Sequence, residues 1–354
     1  MPKTTVVPAD FSSRLISWQL VHGRHGLPWQ GADAYQIWLS EIMLQQTQVT
    51  TVIPYFLHFI EVFPNIAKLA AATQEEVLAN WSGLGYYARG RNLHRAAQIM
   101  VEKFHGEFPR NVEQILALPG VGRSTAAAIC ALAFQERRAI LDGNVKRVLA
   151  RYCGIAGWAG NKKIEEQLWQ QAEALLPARE VATYTQALMD MGASVCTRSR
   201  PKCALCPVQN DCVALLTECT AKLPTPRPRK IVPEKHASFL LLLHGNEILL
   251  EKRPGSGIWG GLWCLPQFDN EQEAIRWLQS DGYRPDQSIL PALPPFTHIF
   301  THFKLHIMPL LFRLTHKPPQ IQQSNSAWFG VEEALQAGIP TPVRKLLKQL
   351  SNTA

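Results

Sequence analysis

The chain has 354 residues and carries 36 basic against 28 acidic side chains, a formal net charge of +8. This length exceeds one ordinary domain, and a basic surface attracts polyanions, of which nucleic acid is the commonest. No apolar run reaches the length of a bilayer span and residues 1–13 lack a secretory signal, so we expect a soluble, cytoplasmic protein.

Residues 11–216 are predicted to be helical. Apolar residues at helical spacing form one buried stripe across residues 35–43, and Glu41 lies off that stripe, on a flank shared with Gln45. A polar tract, residues 45–48, follows directly. The local pattern leaves two interpretations of Glu41 open, an exposed helix glutamate or part of a recognition surface.

A glycine-rich turn at residues 118–122 separates two helical stretches, the second predicted to begin near Ser124. Glycines let the backbone turn sharply and bring N–H groups against an anion, which the positive end of the helix also faces. We interpret the turn as a helix–hairpin–helix that grips a DNA phosphate at Gly120 and Gly122 without reading sequence. A plain helix–turn–helix corner is the alternative.

Asp142 immediately precedes the next predicted helix. An aspartate at a helix N-cap needs no further purpose, but the helix dipole also keeps such a carboxylate ionised. The basic side chains of Lys146 and Arg147 on this helix are interpreted as a solvated face, with phosphate contact as the alternative.

Four of the eight cysteines crowd into residues 196–212. The spacing lets one short segment surround a metal centre, and in a reducing compartment it favours a metal site over a disulfide framework or unrelated buried thiols. Spacing does not separate zinc from an iron–sulfur cluster, because both accept four thiolates. The four cysteines are Cys196, Cys203, Cys206 and Cys212.

The composition changes at Thr220. Residues 222–235 are rich in proline and basic residues, which predicts an extended linker whose charge could follow a DNA backbone. Beyond it, the runs 237–243 and 248–253 predict a β-hairpin, and a strand is expected around residues 303–312. With short helices at 274–278 and 331–335, this part is expected to be a separate α+β domain.

In this order, the segments from residue 11 to 216 resemble the endonuclease III superfamily of DNA glycosylases. Within it, residues 40–48 (Ser-Glu-Ile-Met-Leu-Gln-Gln-Thr-Gln), 83–89 and 27–29 are similar to the MutY family of adenine glycosylases. The resemblance implies a multidomain fold, with an all-α helix–hairpin–helix glycosylase core at residues 1–219. The linker at 220–235 and a Nudix-like α+β domain at 236–354 follow. By analogy, the cysteine segment at 196–212 holds a [4Fe–4S] cluster.

The resemblance also implies the chemistry. Glu41 becomes the general acid, which must be protonated near neutral pH and therefore needs an apolar, closed site. Asp142 stabilises the sugar cation, by charge or through a transient adduct, and Asn144 assists it. Ser124, which is also expected to contact DNA, stands where bifunctional relatives have a lysine. A hydroxyl cannot form a Schiff base, so the expected reaction is base removal by water.

Contacts with DNA are implied at more scattered positions. Gln46 and Tyr86 match residues that wedge into the gap left by the extruded base. The resemblance also implies an adenine pocket lined by Trp29, Leu44, Arg24 and Gln186. For Trp29 and Leu44 the alternative is plain core packing, and for Arg24 and Gln186 it is a surface side chain.

The C-terminal residues Phe300, Thr301 and His302 resemble a Phe-Ser-His loop that contacts 8-oxoguanine, with threonine replacing serine. A strand end with a buried Phe300 is the alternative. Residues 260–273 lack the Arg-Glu…Glu-Glu pattern that holds magnesium in Nudix enzymes, so we do not expect nucleotide hydrolysis there.

We therefore expect a monomeric, nucleoid-associated bacterial enzyme that removes adenine opposite 8-oxoguanine or guanine in double-stranded DNA. One rival is another glycosylase of the superfamily, against which residues 45–48, Ser124 and the C-terminal domain argue. The other is a non-catalytic iron–sulfur protein that binds DNA or senses redox state. The presence of both Glu41 and Asp142 argues against it.

Overall fold

The computed structural model describes residues 8–228, 231–280, 283, 293–317 and 325–351. The chain divides into two compact units. We call Met1–Ala70 with Arg95–Arg229 the helical unit, and Ala71–His94 with Lys230–Ala354 the mixed unit. The domain boundaries expected from composition, 219/220 and 235/236, remain a prediction.

Helices supply nearly all the regular structure up to residue 216, as predicted. No helix within the described residues is long and apolar enough to cross a membrane. The helices are α1 Pro8–His22, α2 Ala34–Leu44, α3 Val49–Val62, α4 Ile66–Ala71, α5 Gln74–Asn80, α6 Ala88–Phe104, α7 Val112–Leu116, α8 Arg123–Phe134, α9 Gly143–Tyr152, α10 Lys162–Ala174, α11 Val181–Ser194 and α12 Val213–Leu216. Short 3-10 turns span Cys203–Leu205 and Gln209–Asp211.

A helix cap and a glycine turn fix the starts of α2 and α8, two helices that carry predicted site residues. Helix α2 begins after Asp33, whose carboxylate accepts the Gln36 N–H at 2.9 Å, and its apolar stripe is buried. The turn between α7 and α8 contains Gly120 at φ +81°, a left-handed conformation that favours glycine. Gly122 is the N-cap of α8, so the predicted helix–hairpin–helix is present.

The mixed unit contains a sheet with strand order β3-β2-β1-β6-β5, in which β4 also pairs with β1 and β7 with β2. β1 and β6 run parallel and the other pairs are antiparallel. The strands are β1 Glu234–His244, β2 Glu247–Lys252, β3 Trp263–Cys264, β4 Gln267–Phe268, β5 Phe296–Ile299, β6 Lys304–Arg313 and β7 Ser326–Gly330. This unit includes α5 and the start of α6, and its C-terminal helices are α13 Glu271–Ser280, α14 Val331–Gln336 and α15 Thr341–Ser351.

The predicted β1–β2 hairpin, the short helices and the strand near residues 303–312 are confirmed. β1 begins at Glu234, within the predicted linker. The Glu234 carboxylate binds Lys304 Nζ at 2.8 Å and His306 Nε2 at 2.9 Å on the parallel strand β6, which extends the sheet into the linker. Arg229 and Lys230, two of the linker's basic residues, lie outside the described residues.

Candidate active site

Glu41 lies on α2 and is half-buried. Desolvation is the main cause that raises the pKa of its carboxyl to about 8, and the negative charge of Asp142 raises it further. No described residue donates a hydrogen bond to this carboxyl. A carboxyl that keeps its proton at neutral pH is the form that a general acid requires, and the role of Glu41 as that acid remains a prediction.

Asp142 is the N-cap of α9, where Oδ1 accepts the Val145 N–H at 2.7 Å. The cap was expected to keep this carboxylate ionised. The effect of burial is larger than that of the helix cap, so the pKa of Asp142 is raised. Hydrogen bonds from Val145 and Asn144 and the charge of Arg147 oppose that rise. The negative charge of Asp142 acts on Glu41 and favours the protonated form of the Glu41 carboxyl.

Asn144 is fixed from three sides. Its Nδ2 lies 3.5 Å from Asp142 Oδ2, and its Oδ1 accepts a hydrogen bond of 2.8 Å from Arg147. A Cβ on Gly192 of α11 would lie 2.6 Å from the Asn144 Cβ, so only glycine permits this close approach. The Asn144 side chain is thus held beside the Asp142 carboxylate.

Arg147 does not lie on the solvated face predicted from the sequence. It is half-buried, and its guanidinium donates to the Gly192 carbonyl at 2.6 Å and the Cys196 carbonyl at 2.7 Å. Burial lowers its pKa. The spacing of charges along α9 could not reveal these acceptors, since they belong to a segment about fifty residues later. Lys146 forms an ion pair of 2.6 Å with Glu165.

Ser124 supports the segment that precedes Asp142. Its hydroxyl accepts the Leu141 N–H at 2.9 Å, across the turn between α8 and α9. No amine is present at this position, so the side chain offers no nucleophile for a Schiff base.

The polar tract after α2 reaches the hairpin. Gln45 Nε2 lies 3.3 Å from the Gly120 carbonyl oxygen and 3.4 Å from Thr125 Oγ1. Gln46 has φ +60° and an exposed side chain. A left-handed conformation in a non-glycine residue costs about 1 kcal/mol and is enriched at functional sites. It presents the predicted wedge residue outward.

The predicted adenine-pocket residues have different surroundings. Arg24 Nε and Gln186 Nε2 each donate to Asp190 Oδ1 at 2.8 Å, so both side chains are held by one buried carboxylate. The Trp29 ring is buried and packs edge-on against Phe56, and Leu44 is half-buried. Their contacts with adenine remain a prediction.

Sequence reasoning missed Asp190, which is 1% exposed. A signal for it existed, because residues 187–191 read Ala-Leu-Met-Asp-Met. An acid inside so apolar a helix segment indicates a buried and partnered carboxylate.

The four predicted metal-binding cysteines are half-buried free thiols. Burial raises the pKa of Cys206 to about 11 and also raises that of Cys212, and neighbouring thiols of the set add to both shifts. The raised pKa values of Cys206 and Cys212 fit a cationic centre that would stabilise their thiolates. As they stand, no three His, Cys, Asp or Glu side chains in the described part of the chain are placed to hold a metal ion.

Arg151 braces the same segment, another role that the sequence analysis missed. Its guanidinium donates to the carbonyls of Thr197 at 2.7 Å and Arg198 at 3.0 Å, and to the Leu223 carbonyl at 2.7 Å. One buried side chain on α9 therefore ties the cysteine segment to the start of the linker.

The remaining predicted residues belong to the mixed unit. Thr301 and His302 are exposed in the turn between β5 and β6, which the Phe300 N–H closes on the Phe303 carbonyl at 2.9 Å. The Phe300 ring is half-buried and stacks on Phe303 at 4.3 Å between centroids. Tyr86 has φ +49° and is 44% exposed.

Comparison with known proteins gives two domain matches. The HhH-GPD superfamily of base excision DNA repair proteins matches residues 39–174, and the NUDIX domain matches residues 237–349. Among solved structures, a thermostable thymine-DNA glycosylase is 28% identical with a TM-score of 0.54, covering 59% of this chain and 97% of that one. A non-covalent endonuclease III–DNA complex, at 20% identity and a TM-score of 0.52, shares the fold over 60% of this chain and 99% of that one.

Relatives with a named activity are similar along nearly the whole chain. The adenine DNA glycosylase of Buchnera aphidicola subsp. Acyrthosiphon pisum is 40% identical over 340 residues, 96% of this chain and 97% of that protein. The adenine DNA glycosylase of Mus musculus is 33% identical and covers 96% of this chain and 77% of its own length. The chain therefore belongs to the adenine DNA glycosylase family of base excision repair.

Proposed function

We propose that this protein hydrolyses the N-glycosidic bond of adenine mispaired with 8-oxoguanine or guanine in double-stranded DNA, without lyase activity. One observation carries the proposal. Glu41, with a pKa near 8, lies within the electrostatic reach of Asp142, whose negative charge favours the protonated form of Glu41.

Glu41 then acts first as an acid. It gives its proton to a ring nitrogen of the extruded adenine, so the base leaves neutral and takes the electron pair of the broken C–N bond. The positive charge that develops on the sugar is stabilised by the Asp142 carboxylate, which Asn144 holds in place. Water adds to the anomeric carbon, and its proton returns to Glu41.

Recognition is divided among several groups. The N-terminus of α8 with Gly120 and Gly122 binds a backbone phosphate, and Gln46 and Tyr86 occupy the space left by the base. The exposed Thr301 and His302 read the oxidised guanine. A monomer carries all of these groups.

Cys196, Cys203, Cys206 and Cys212 would hold a [4Fe–4S] cluster, which when bound shapes their segment for contact with DNA. This chain's own contribution is the pair Arg147 and Arg151, which fix the backbone carbonyls of Cys196 and Thr197. The donor set of four free thiols supports the assignment.

The test is strand release from a labelled duplex with one A:8-oxoguanine pair, read with and without alkali after incubation. We expect cleavage of the adenine strand only after alkali. Because Ser124 cannot form a Schiff base, the abasic site stays intact until alkali cleaves it. Cleavage without alkali would contradict the monofunctional assignment. Tight binding without base loss would instead favour a non-catalytic protein, and an A:G duplex run in parallel defines the preference for the opposite base.

A further inference from the structure

The turn that carries Tyr86, residues 83–87, has an unusual backbone. Gly83, Gly85 and Tyr86 have φ of +102°, +75° and +49°. Three of the four residues 83–86 are left-handed, and local backbone preferences disfavour this conformation, most of all for a tyrosine. Contacts from outside the turn must therefore select it.

Part of that support is local. Trp81 Nε1 donates to the Gly85 carbonyl at 3.1 Å, and the buried Arg89 donates to the carbonyls of Leu84 and Gly85, each at 3.2 Å. The Arg89 guanidinium also lies 5.3 Å from the centroid of the Tyr86 ring. These bonds fix the inner side of the turn.

The rest of the support comes from residues 338–344, far along the chain but in the same mixed unit. The Tyr87 hydroxyl donates to the Ile339 carbonyl at 2.9 Å and lies 3.4 Å from the Gly83 N–H. The Ser82 hydroxyl donates to the same carbonyl at 3.0 Å and accepts from Arg344 at 2.8 Å.

Packing around these hydrogen bonds is tight. Ile339 and the Tyr87 ring are buried, and a Cβ on Gly338 would lie 3.3 Å from the backbone of Leu78 and Ala79. Water therefore has little access to the Ile339 carbonyl, and loss of either hydroxyl would leave a buried acceptor with fewer donors.

We propose that the Ile339 carbonyl and Arg344 are positioning groups for base extrusion, because they hold the 83–87 turn in the form that exposes Tyr86. This inference rests on the proposed function, in which Tyr86 wedges into the duplex. It assigns to residues 338–344, the end of the α14–α15 loop and the first turn of α15, a role in opening the base pair that is separate from reading the opposite base.

The test uses the full chain with Glu41→Gln, so that extrusion is observed without chemistry, and a duplex with 2-aminopurine in place of adenine opposite 8-oxoguanine. Its fluorescence rises when the base leaves the stack. For Tyr87→Phe with Ser82→Ala we expect about a tenfold lower ratio of extruded to stacked base, since two hydrogen bonds to Ile339 are lost. The dissociation constant of the duplex should change by less than about twofold, because no phosphate contact is altered.

Matched variants separate the outcomes. Tyr184→Phe removes a buried hydroxyl that has no hydrogen-bond partner among the described residues, and should leave extrusion unchanged. Ser82→Thr keeps the hydroxyl and should restore most of the signal lost in Ser82→Ala. Should the double variant fail to fold, Tyr87→Phe alone must show a smaller loss in the same direction.

Extrusion by a folded Tyr87→Phe/Ser82→Ala variant that equals that of Tyr184→Phe would overturn the positioning role. Extrusion unaffected by Tyr86→Ala would instead remove the wedge assignment, and this inference with it. Absence of any fluorescence rise in the parent, together with no base release by the Glu41 protein, would point to failure of the proposed function itself.

Discussion

Glu41 and Asp190 are both carboxylates inside the helical unit, and their surroundings are opposite. Asp190 accepts hydrogen bonds from Gln19 at 3.0 Å, from Gln186 at 2.8 Å and from three N–H groups of Arg24 at 2.5 to 2.8 Å. No described residue donates to Glu41, and its pKa rises to about 8. Burial with a full set of donors gives a structural anion, whereas burial without donors beside a second anion gives an acid.

The largest expected effect that tests this contrast is that of Glu41→Gln on catalysis. The amide keeps the shape of the side chain but has no acidic proton, so single-turnover base release should fall by about 10²–10⁴-fold. Affinity for the A:8-oxoguanine duplex and the Tm should stay near the parent values, because no hydrogen bond is lost. Base release within threefold of the parent would remove Glu41 from the chemistry.

Asp190→Asn should act mainly on stability, with a smaller effect. Loss of the anion leaves the Arg24 guanidinium facing a neutral amide, which should lower the free energy of unfolding by about 3 kcal/mol and the Tm by roughly 5–10 °C. Thermal unfolding followed by circular dichroism measures this. The control is Glu173→Gln, which breaks an exposed pair with Arg123 and should cost less than about 1 kcal/mol. Equal Tm values for the two variants would contradict a structural role for Asp190.

Residues of the site differ in how far the sequence alone could predict them. Glu41 and Asp142 could be predicted as site residues because each belongs to a contiguous motif that resembles the family, and the helices and the β1–β2 hairpin follow from periodicity. Asp190 and Arg147 were not predicted, because their partners are distant in sequence. The apolar residues around Asp190 indicate burial but not its partners, and the charge spacing along α9 gives no signal for Arg147. The grouping of Ala71–His94 with the C-terminal residues was equally hidden. It depends on contacts such as Lys252 Nζ to Glu75 at 2.7 Å, which composition does not show.

The central claim is that Glu41 holds a proton at neutral pH, and a carboxyl titration tests it most directly. In protein labelled with ¹³C at the glutamate side-chain carboxyl, we expect one resonance that titrates near pH 8 and is absent from Glu41→Gln. The raised pKa sets the direction of the pH dependence of base release. Glu41 is protonated below about pH 8 and loses the proton, and base release with it, as the pH rises through that value. If every glutamate resonance titrates near its ordinary pKa of about 4, Glu41 is ionised at neutral pH and the assignment of the general acid is wrong.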